Sequence, residues 1–211
     1  MPALVPLLGG VLLGALLSWG WFTTQGPDIL PPEAGHIMRP AVCFTPGEKC
    51  TDRIVATIGA AQREVLVQAY SFTSPPIAEA LEAAHRRGVR VRILVDDSQI
   101  SERYTQADEM AAAGIEVWVD DPSGIAHNKV MVIDGELVIT GSFNFSRSAQ
   151  ERNTENLLLI RDATLAAQYT QNWERRRAVS TPYAEAARPP AAANDNERDR
   201  RKRDSAIFGL F

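Results

Sequence analysis

Hydrophobic and polar residues along the middle of the chain follow two alternating periods. Short apolar runs rich in Val, Ile and Leu predict strands, and the helical segments between them end at Gly88 and Gly114. The strands are predicted at 41–44, 64–70, 89–97, 115–120 and 155–160, with a hairpin at 129–140. The helices are predicted at 74–87, 101–113 and 163–177, and one more begins at Thr45, where Thr-Pro-Gly-Glu has the spacing of a capping box. This order predicts an α/β domain with a mixed β-sheet flanked by helices.

The first 22 residues are apolar, and residues 3–22 contain no charged side chain. A helix of this length would span about 30 Å, the thickness of a hydrocarbon core. We interpret the segment as an uncleaved membrane anchor rather than a cleaved signal peptide, because no basic residue precedes it and no A-x-A site follows. Either interpretation places the domain outside the cytoplasm, in the periplasm or secreted.

The remaining boundaries follow from shifts in composition. Residues 23–40 are rich in Pro and Gly and predict a linker, 41–179 predict a folded domain, and 180–211 predict a disordered charged tail. The tail contains the basic run RDRRKRD, which either contacts lipid headgroups or nucleic acid or is simply solvated. The whole chain carries a net charge of −4. A site for a polyanion must therefore be local.

Two cysteines, Cys43 and Cys50, lie near the start of the predicted domain. In an exported protein they would either close a small disulfide loop or remain as two buried thiols. A zinc site is not expected, because zinc needs four ligands and no cluster of Cys or His partners lies near this pair in sequence.

The predicted hairpin carries the residues that point to chemistry. In a strand, residues two apart share a face, so His127 and Lys129 project together. Asp134-Gly135 predicts a hairpin turn that brings Ser142 and Asn144 back to the same end of the sheet. An imidazole nucleophile with a cation, an amide and a hydroxyl around it suits a phosphate ester.

The spacing H-x-K-x4-D-x6-G-S-x-N, from His127 to Asn144, resembles the HKD signature of the phospholipase D superfamily in every defined position. Glu155 lies where the small bacterial endonucleases of this superfamily, the Nuc-like branch, place a carboxylate that holds the histidine. The segments VLVQAYSFTSPPIAEAL and RGVRVRILVDD are similar to that branch as well, and the resemblance extends from about 41 to 177. It implies a phospholipase D-like fold and a reaction that needs no metal and no cofactor.

The resemblance also implies roles for the matched residues. His127 would attack phosphorus to give a phosphohistidine, and Glu155 would accept a hydrogen bond from its other ring nitrogen. Lys129 and Asn144 would stabilise the phosphate oxygens, while Ser142 either helps them or stabilises the turn. A second histidine must protonate the leaving oxygen. The other histidines, His36 and His85, lie outside the motif, so the second one would come from another copy of the chain in a two-fold homodimer.

Other residues receive structural interpretations. We assign Asp134 to the fold rather than to catalysis, because a hairpin turn favours Asp before Gly. Gly141, the glycine of the motif, is also assigned a structural role. The pairs Asp96-Asp97 and Asp120-Asp121 suggest a competing, metal-dependent nuclease. Both pairs end predicted strands, however, where Asp commonly begins a turn, so we expect no metal site there.

The sequence therefore predicts a metal-independent phosphodiesterase, foremost a non-specific endonuclease acting on DNA or RNA. Two alternatives remain: a phospholipase D that hydrolyses phospholipid headgroups, and a non-catalytic binding module. The expected partners are a second copy of the chain, nucleic acid or phospholipid as substrate, and a membrane contacted through residues 3–22.

Overall fold

The computed structural model describes residues 40–187, which form an eight-stranded sheet with helices on both faces. The strands are β1 Ala41–Thr45, β2 Glu64–Ala69, β3 Arg90–Asp96, β4 Glu116–Asp120, β5 Lys129–Ile133, β6 Leu137–Gly141, β7 Glu155–Arg161 and β8 Thr181–Pro182. The helices are α1 Cys50–Gly59, α2 Pro75–Arg86, α3 Ala107–Ala112, α4 Arg147–Glu151, α5 Ala163–Arg177 and α6 Tyr183–Ala186, with a 3₁₀ turn at Asp97–Ile100.

The predictions for the two ends of the chain lie largely outside this range. They concern the anchor at 1–22, the linker at 23–40 with His36, and the part of the tail beyond 187. Within residues 40–187, no helix combines the length and the apolar character that crossing a membrane requires.

The strand order is β1-β7-β6-β5-β2-β3-β4-β8. Strands β2, β3 and β4 are parallel neighbours because a helical connection returns the chain to the same edge after each strand. The other neighbours are antiparallel. The prediction of a mixed sheet flanked by helices is confirmed.

Both faces of the sheet are covered, which explains why every residue of β2 after Glu64 is buried. One face packs against α1 and α2 through residues such as Ile54, Ile58 and Leu81. The other face packs against α5, where Trp173 is 1% exposed and its indole Nε1 donates a hydrogen bond to the carbonyl of Val67 at 2.9 Å. The central strands therefore lie between α1 and α2 on one face and α5 on the other.

The predicted helix start at Thr45 is wrong. Thr45 is the last residue of β1, pairs with Glu155 of β7, and donates its hydroxyl to the carbonyl of Ala149 at 2.8 Å. Gly47 has φ 124, outside the helical region, so the chain turns there and α1 begins only at Cys50. A local capping pattern is thus overridden by pairing with a distant strand.

The predicted start of the disordered tail at 180 also needs correction. Strand β8 pairs with the edge of β4, and Tyr183 is 3% exposed. The Tyr183 hydroxyl donates to Oδ1 of Asp108 at 3.0 Å, and burial beside that carboxylate raises its pKa. Residues 180–187 therefore belong to the folded domain.

The sequence left two alternatives for the cysteines, a disulfide or two thiols. The structure has the disulfide, which joins Cys43 in β1 to Cys50 at the start of α1. Both residues are fully buried. The bond ties an edge strand to the helix that covers it.

Candidate active site

One edge of the sheet collects the residues of the motif. Strand β5 runs antiparallel to β2, so Lys129 at its start lies beside Ala69 at the end of β2. Strand β6 ends at the same edge, where Gly141 pairs with Leu157 near the start of β7. The following residues therefore meet at this edge: His127, Lys129, Ser142, Asn144 and Glu155.

His127 is exposed and lies two residues before β5 begins, rather than within the strand as predicted. Its imidazole packs against the ring of Tyr70, with the centroids 4.5 Å apart and the planes at 60°. Tyr70 follows β2 directly, and its backbone N–H donates to the carbonyl of Asn128 at 2.9 Å. An exposed ring held on one side by an aromatic contact is suited to nucleophilic attack.

Lys129 is only 7% exposed. Its Nζ donates to the carbonyl of His127 at 3.0 Å and lies 4.7 Å from the centroid of the Tyr70 ring. Burial lowers the pKa of this ammonium group, while the charges of Glu155 and Asp96 act in the opposite direction. The side chain is thus a fixed cation beneath the histidine.

Asp96 positions the segment that carries His127. Its carboxylate is 1% exposed and accepts hydrogen bonds from the backbone N–H of Ala126 at 2.6 Å and of Ser98 at 3.2 Å. Ala126 immediately precedes the histidine, so a buried carboxylate at the end of β3 fixes the backbone next to the candidate nucleophile.

In each acidic pair that suggested a metal site, the first aspartate is bound to protein groups. Asp120 lies beside Asp96 in the β3–β4 pairing and accepts a hydrogen bond from Nε of Arg176 at 3.0 Å. Burial raises the pKa of Asp97, as do the charges of Asp96 and Asp121. Across residues 40–187, no three His, Cys, Asp or Glu side chains are grouped as a metal ion would require.

Asn144 and Ser142 follow β6 in different environments. The hydroxyl oxygen of Ser142 accepts hydrogen bonds from the backbone N–H and the Nδ2 of Asn156, at 3.1 and 3.3 Å, which favours its turn-stabilising interpretation. Asn144 is half-buried, and its Oδ1 is enclosed without a hydrogen-bond partner among the described residues. Rotation of this amide by 180° would present an N–H donor at the same point, as a phosphate oxygen requires.

Glu155 is the first residue of β7, and it lies close enough to Lys129 to affect its pKa. Its Oε1 accepts a hydrogen bond from Nδ2 of Asn153 at 2.9 Å. The described structure has no hydrogen bond between Glu155 and His127. Tyr70 contacts the imidazole; sequence reasoning gave this residue no role in the site, although it is the last residue of the strand predicted at 64–70.

Asp134 lies at the opposite edge of the sheet, in the turn between β5 and β6. Asp134 and Gly135 both have positive φ, 56° and 68°, as a tight hairpin turn requires. The Asp134 carboxylate accepts hydrogen bonds from three successive backbone N–H groups, those of Gln62, Arg63 and Glu64. Burial alone would raise its pKa, but these donors and the charge of Arg63 outweigh burial and lower it.

Gly141 ends β6 with φ 142, and a Cβ atom built on it would lie 2.3 Å from the backbone oxygen of Asn156. No side chain fits in that space without moving β7. The glycine therefore allows β6 and β7 to approach closely just before the chain reaches Ser142 and Asn144.

Comparison with known proteins gives a consistent result. The protein family described as "Cardiolipin synthase, PLD-like domain" matches residues 54–177. A phospholipase D of Rickettsia typhi is 45% identical over 189 residues, covering 84% of this chain and 93% of that protein. A mitochondrial cardiolipin hydrolase of Xenopus laevis is 34% identical over 139 residues, covering 65% of this chain and 66% of that protein. The crystal structure of the phospholipase D family member Nuc from Salmonella typhimurium has a TM-score of 0.64 and 33% identity, covering 68% of this chain and 98% of that one.

Proposed function

Because the chain belongs to the phospholipase D superfamily and is therefore a phosphodiester hydrolase, we propose that it is a metal-independent endonuclease that acts through a phosphohistidine at His127. The observation that carries this proposal is the arrangement of an exposed imidazole against Tyr70 with the buried ammonium of Lys129 below it. It combines a free nucleophile with a fixed positive charge where phosphate charge develops.

In the proposed reaction, a ring nitrogen of His127 attacks phosphorus, and the bond from phosphorus to the leaving oxygen breaks. A second histidine gives its proton to that oxygen and then takes a proton from water, which attacks the phosphohistidine and breaks the phosphorus–nitrogen bond. Lys129 and Asn144 stabilise the negative charge on the non-bridging oxygens in both steps.

The need for a second histidine at the site supports a homodimer. His85 is the only other histidine in residues 40–187, and it lies near the end of α2, beside the starts of β3 and β4 at the opposite edge of the sheet. A two-fold axis next to His127 would bring its symmetry mate into the site. Glu155 would then accept a hydrogen bond from a His127 ring, either across the dimer or after turning away from Asn153.

Nucleic acid is the proposed substrate because the motif and its flanking strands resemble the small bacterial endonucleases of the superfamily. Phospholipid is the second candidate, supported by relatives named phospholipase D. One feature of the site also favours phospholipid: Ile125, two residues before His127, is 58% exposed and offers an apolar contact beside the nucleophile.

The decisive test compares the full-length protein with His127→Ala, each with and without excess EDTA, on supercoiled plasmid and on vesicles of phosphatidylcholine and cardiolipin. Nicking in EDTA by the parent and not by the variant supports the nuclease and its metal independence. Headgroup release without nicking would make the protein a phospholipase D, and nicking that EDTA abolishes would overturn the phosphohistidine route. Light scattering of the active species tests the dimer, since an active monomer contradicts a shared site.

Membrane association through residues 3–22 and an extracytoplasmic location complete the proposal. Carbonate extraction of membranes tests the anchor, since a peripheral protein would be released into the soluble fraction. Protease digestion of intact spheroplasts tests the location, since a domain on the cytoplasmic side would be protected.

A further inference from the structure

A cleft of about 540 Å³ opens beside the candidate active site. Its walls come from the loop before α3, which contributes Arg103 and Tyr104, and from α4 and its flanks, which contribute Arg147, Ser148 and Arg152. Thr73 forms part of the wall between them. None of these residues belongs to the HKD motif.

The cleft lies at the same edge of the sheet as His127. Helix α4 begins three residues after Asn144 and ends four residues before Glu155, so the arginines on it are attached to the segment that joins two candidate site residues. The backbone N–H of Thr73 donates to the carbonyl of Phe145 at 2.9 Å, which fastens this segment to the end of β2. A long substrate bound at His127 would extend across the cleft.

The charge of the cleft is positive, although the whole chain is acidic. Three guanidinium groups line it, and Glu109 is the single carboxylate among the lining residues. The Arg147 side chain is 74% exposed, and its Nε lies 3.8 Å from Oε1 of Glu151. This is a long, solvent-exposed ion pair and therefore a weak one. Within residues 40–187, Arg103 and Arg152 form no ion pair; Arg103 lies over the Tyr104 ring and Arg152 donates to the Ser148 hydroxyl. These cations are therefore available to a ligand.

We propose that this cleft binds a non-scissile phosphate of a single-stranded nucleic acid, with a neighbouring base stacked on Tyr104; the inference rests on the proposed nuclease function. Arginine forks match phosphate oxygens and pair with them through two hydrogen bonds. Tyr104 is 63% exposed, and a ring face beside a phosphate-binding cation is how proteins hold single strands without regard to sequence. A bare lipid headgroup would use the arginines but not the ring.

The experiment measures kcat and KM of the full-length protein on two substrates in EDTA: a single-stranded oligonucleotide of about 12 nucleotides, and bis-p-nitrophenyl phosphate, which has one phosphate and no neighbour. The variants are Arg147→Gln, Arg152→Gln and Tyr104→Leu. Arg86→Gln is the matched control, because it removes the same charge from an exposed ion pair with Glu82 at the far end of α2.

For each test variant we expect KM for the oligonucleotide to rise about tenfold, and the ratio of kcat/KM between the two substrates to fall by the same factor. The slope of log affinity against log salt concentration for the oligonucleotide should also decrease in magnitude by about 0.7 for each arginine removed. Arg86→Gln should keep both the ratio and the slope. An unchanged ratio, or an equal loss on both substrates with a change in light-scattering mass, would overturn the proposal and make the cleft a structural or subunit contact.

Binding separates a failure of this inference from a failure of the nuclease function. His127→Ala and His127→Ala/Arg152→Gln are titrated with the labelled oligonucleotide and, separately, with vesicles containing cardiolipin. An approximately tenfold weaker oligonucleotide affinity of the double variant supports the cleft, even if the parent cleaves no nucleic acid. A loss confined to vesicle binding would show that the cleft holds a lipid headgroup. Equal affinities of the two variants for each ligand would show that the cleft binds neither nucleic acid nor lipid.

Discussion

The phenol ring of Tyr70 lies against the imidazole of His127, with the ring centroids 4.5 Å apart. The same ring lies 4.7 Å from the Nζ of Lys129. This contact depends on the β2–β5 register, in which Ala69 pairs with Lys129 and places Tyr70 at the level of the histidine. A residue outside the motif thus holds the candidate nucleophile and its neighbouring cation in one cluster.

We expect Tyr70→Leu to lower kcat/KM by about tenfold, because the imidazole and the ammonium each lose an aromatic contact of about 1 kcal/mol. Tyr70→Phe keeps the ring and should retain most of the activity. Steady-state kinetics on bis-p-nitrophenyl phosphate measure both. Equal losses in the two variants would indicate that the hydroxyl acts on substrate instead.

Asp134→Ala should destabilise the protein by about 2 kcal/mol at pH 7, because three backbone N–H groups lose a charged acceptor. The folded pKa of Asp134 is lowered, so this contribution is complete above the unfolded pKa of about 3.9 and is lost as pH falls through the folded pKa. Urea denaturation at several pH values should show parent and variant converging below about pH 4.

Asp134→Asn is the control for this prediction. Asparagine tolerates the positive φ and keeps one acceptor oxygen, so it should lose less stability than alanine. Each folded variant should keep its kcat, because Asp134 lies at the edge of the sheet opposite His127. A large loss of kcat without a loss of stability would give Asp134 a role in the reaction.

Gly141→Ala should lower the free energy of unfolding by about 3 kcal/mol, because the new Cβ would collide with the Asn156 backbone in addition to straining φ. Gly135→Ala is the matched control: its φ is 68°, but the added methyl group would meet no atom within 4 Å outside the adjacent residues, so only about 1 kcal/mol should be lost. Thermal denaturation followed by circular dichroism measures the difference. Equal losses of stability in the two variants would mean that β7 moves to accommodate the new Cβ at little energetic cost.

Sequence periodicity was sufficient for elements whose identity is determined locally. The predicted β7 and α5 agree with the structure within one residue, since an apolar strand and an Asp162-capped helix both carry their signals in adjacent positions. Thr45 was misassigned because its pairing with Glu155 involves a residue far along the chain. Strand β8 was missed for the same reason: two residues have no periodicity, and their edge position comes from contact with β4.

The candidate site also contains some residues that the sequence predicts and others that it does not. Spacing alone located His127, Lys129, Ser142 and Asn144, because one hairpin brings them together. Tyr70 and the arginine cleft depend on contacts between segments distant in sequence, so no local pattern marks them. The motif also could not predict that the described residues contain no His127–Glu155 hydrogen bond. The direction of the Glu155 side chain depends on neighbours such as Asn153.

The buried ammonium of Lys129 leads to a prediction about pH. Burial lowers its pKa below the ordinary value of 10.5, although Glu155 and Asp96 oppose the shift. Deprotonation removes the positive charge that would stabilise the phosphate oxygens, so kcat/KM should fall as pH rises through that lowered pKa. Lys129→Met should be about 10²–10³ times less active at pH values below that pKa, and its activity should lack this alkaline limb. Lys129→Arg should also lack it, because a guanidinium stays protonated; a limb that persists in both variants would assign the titration to another group.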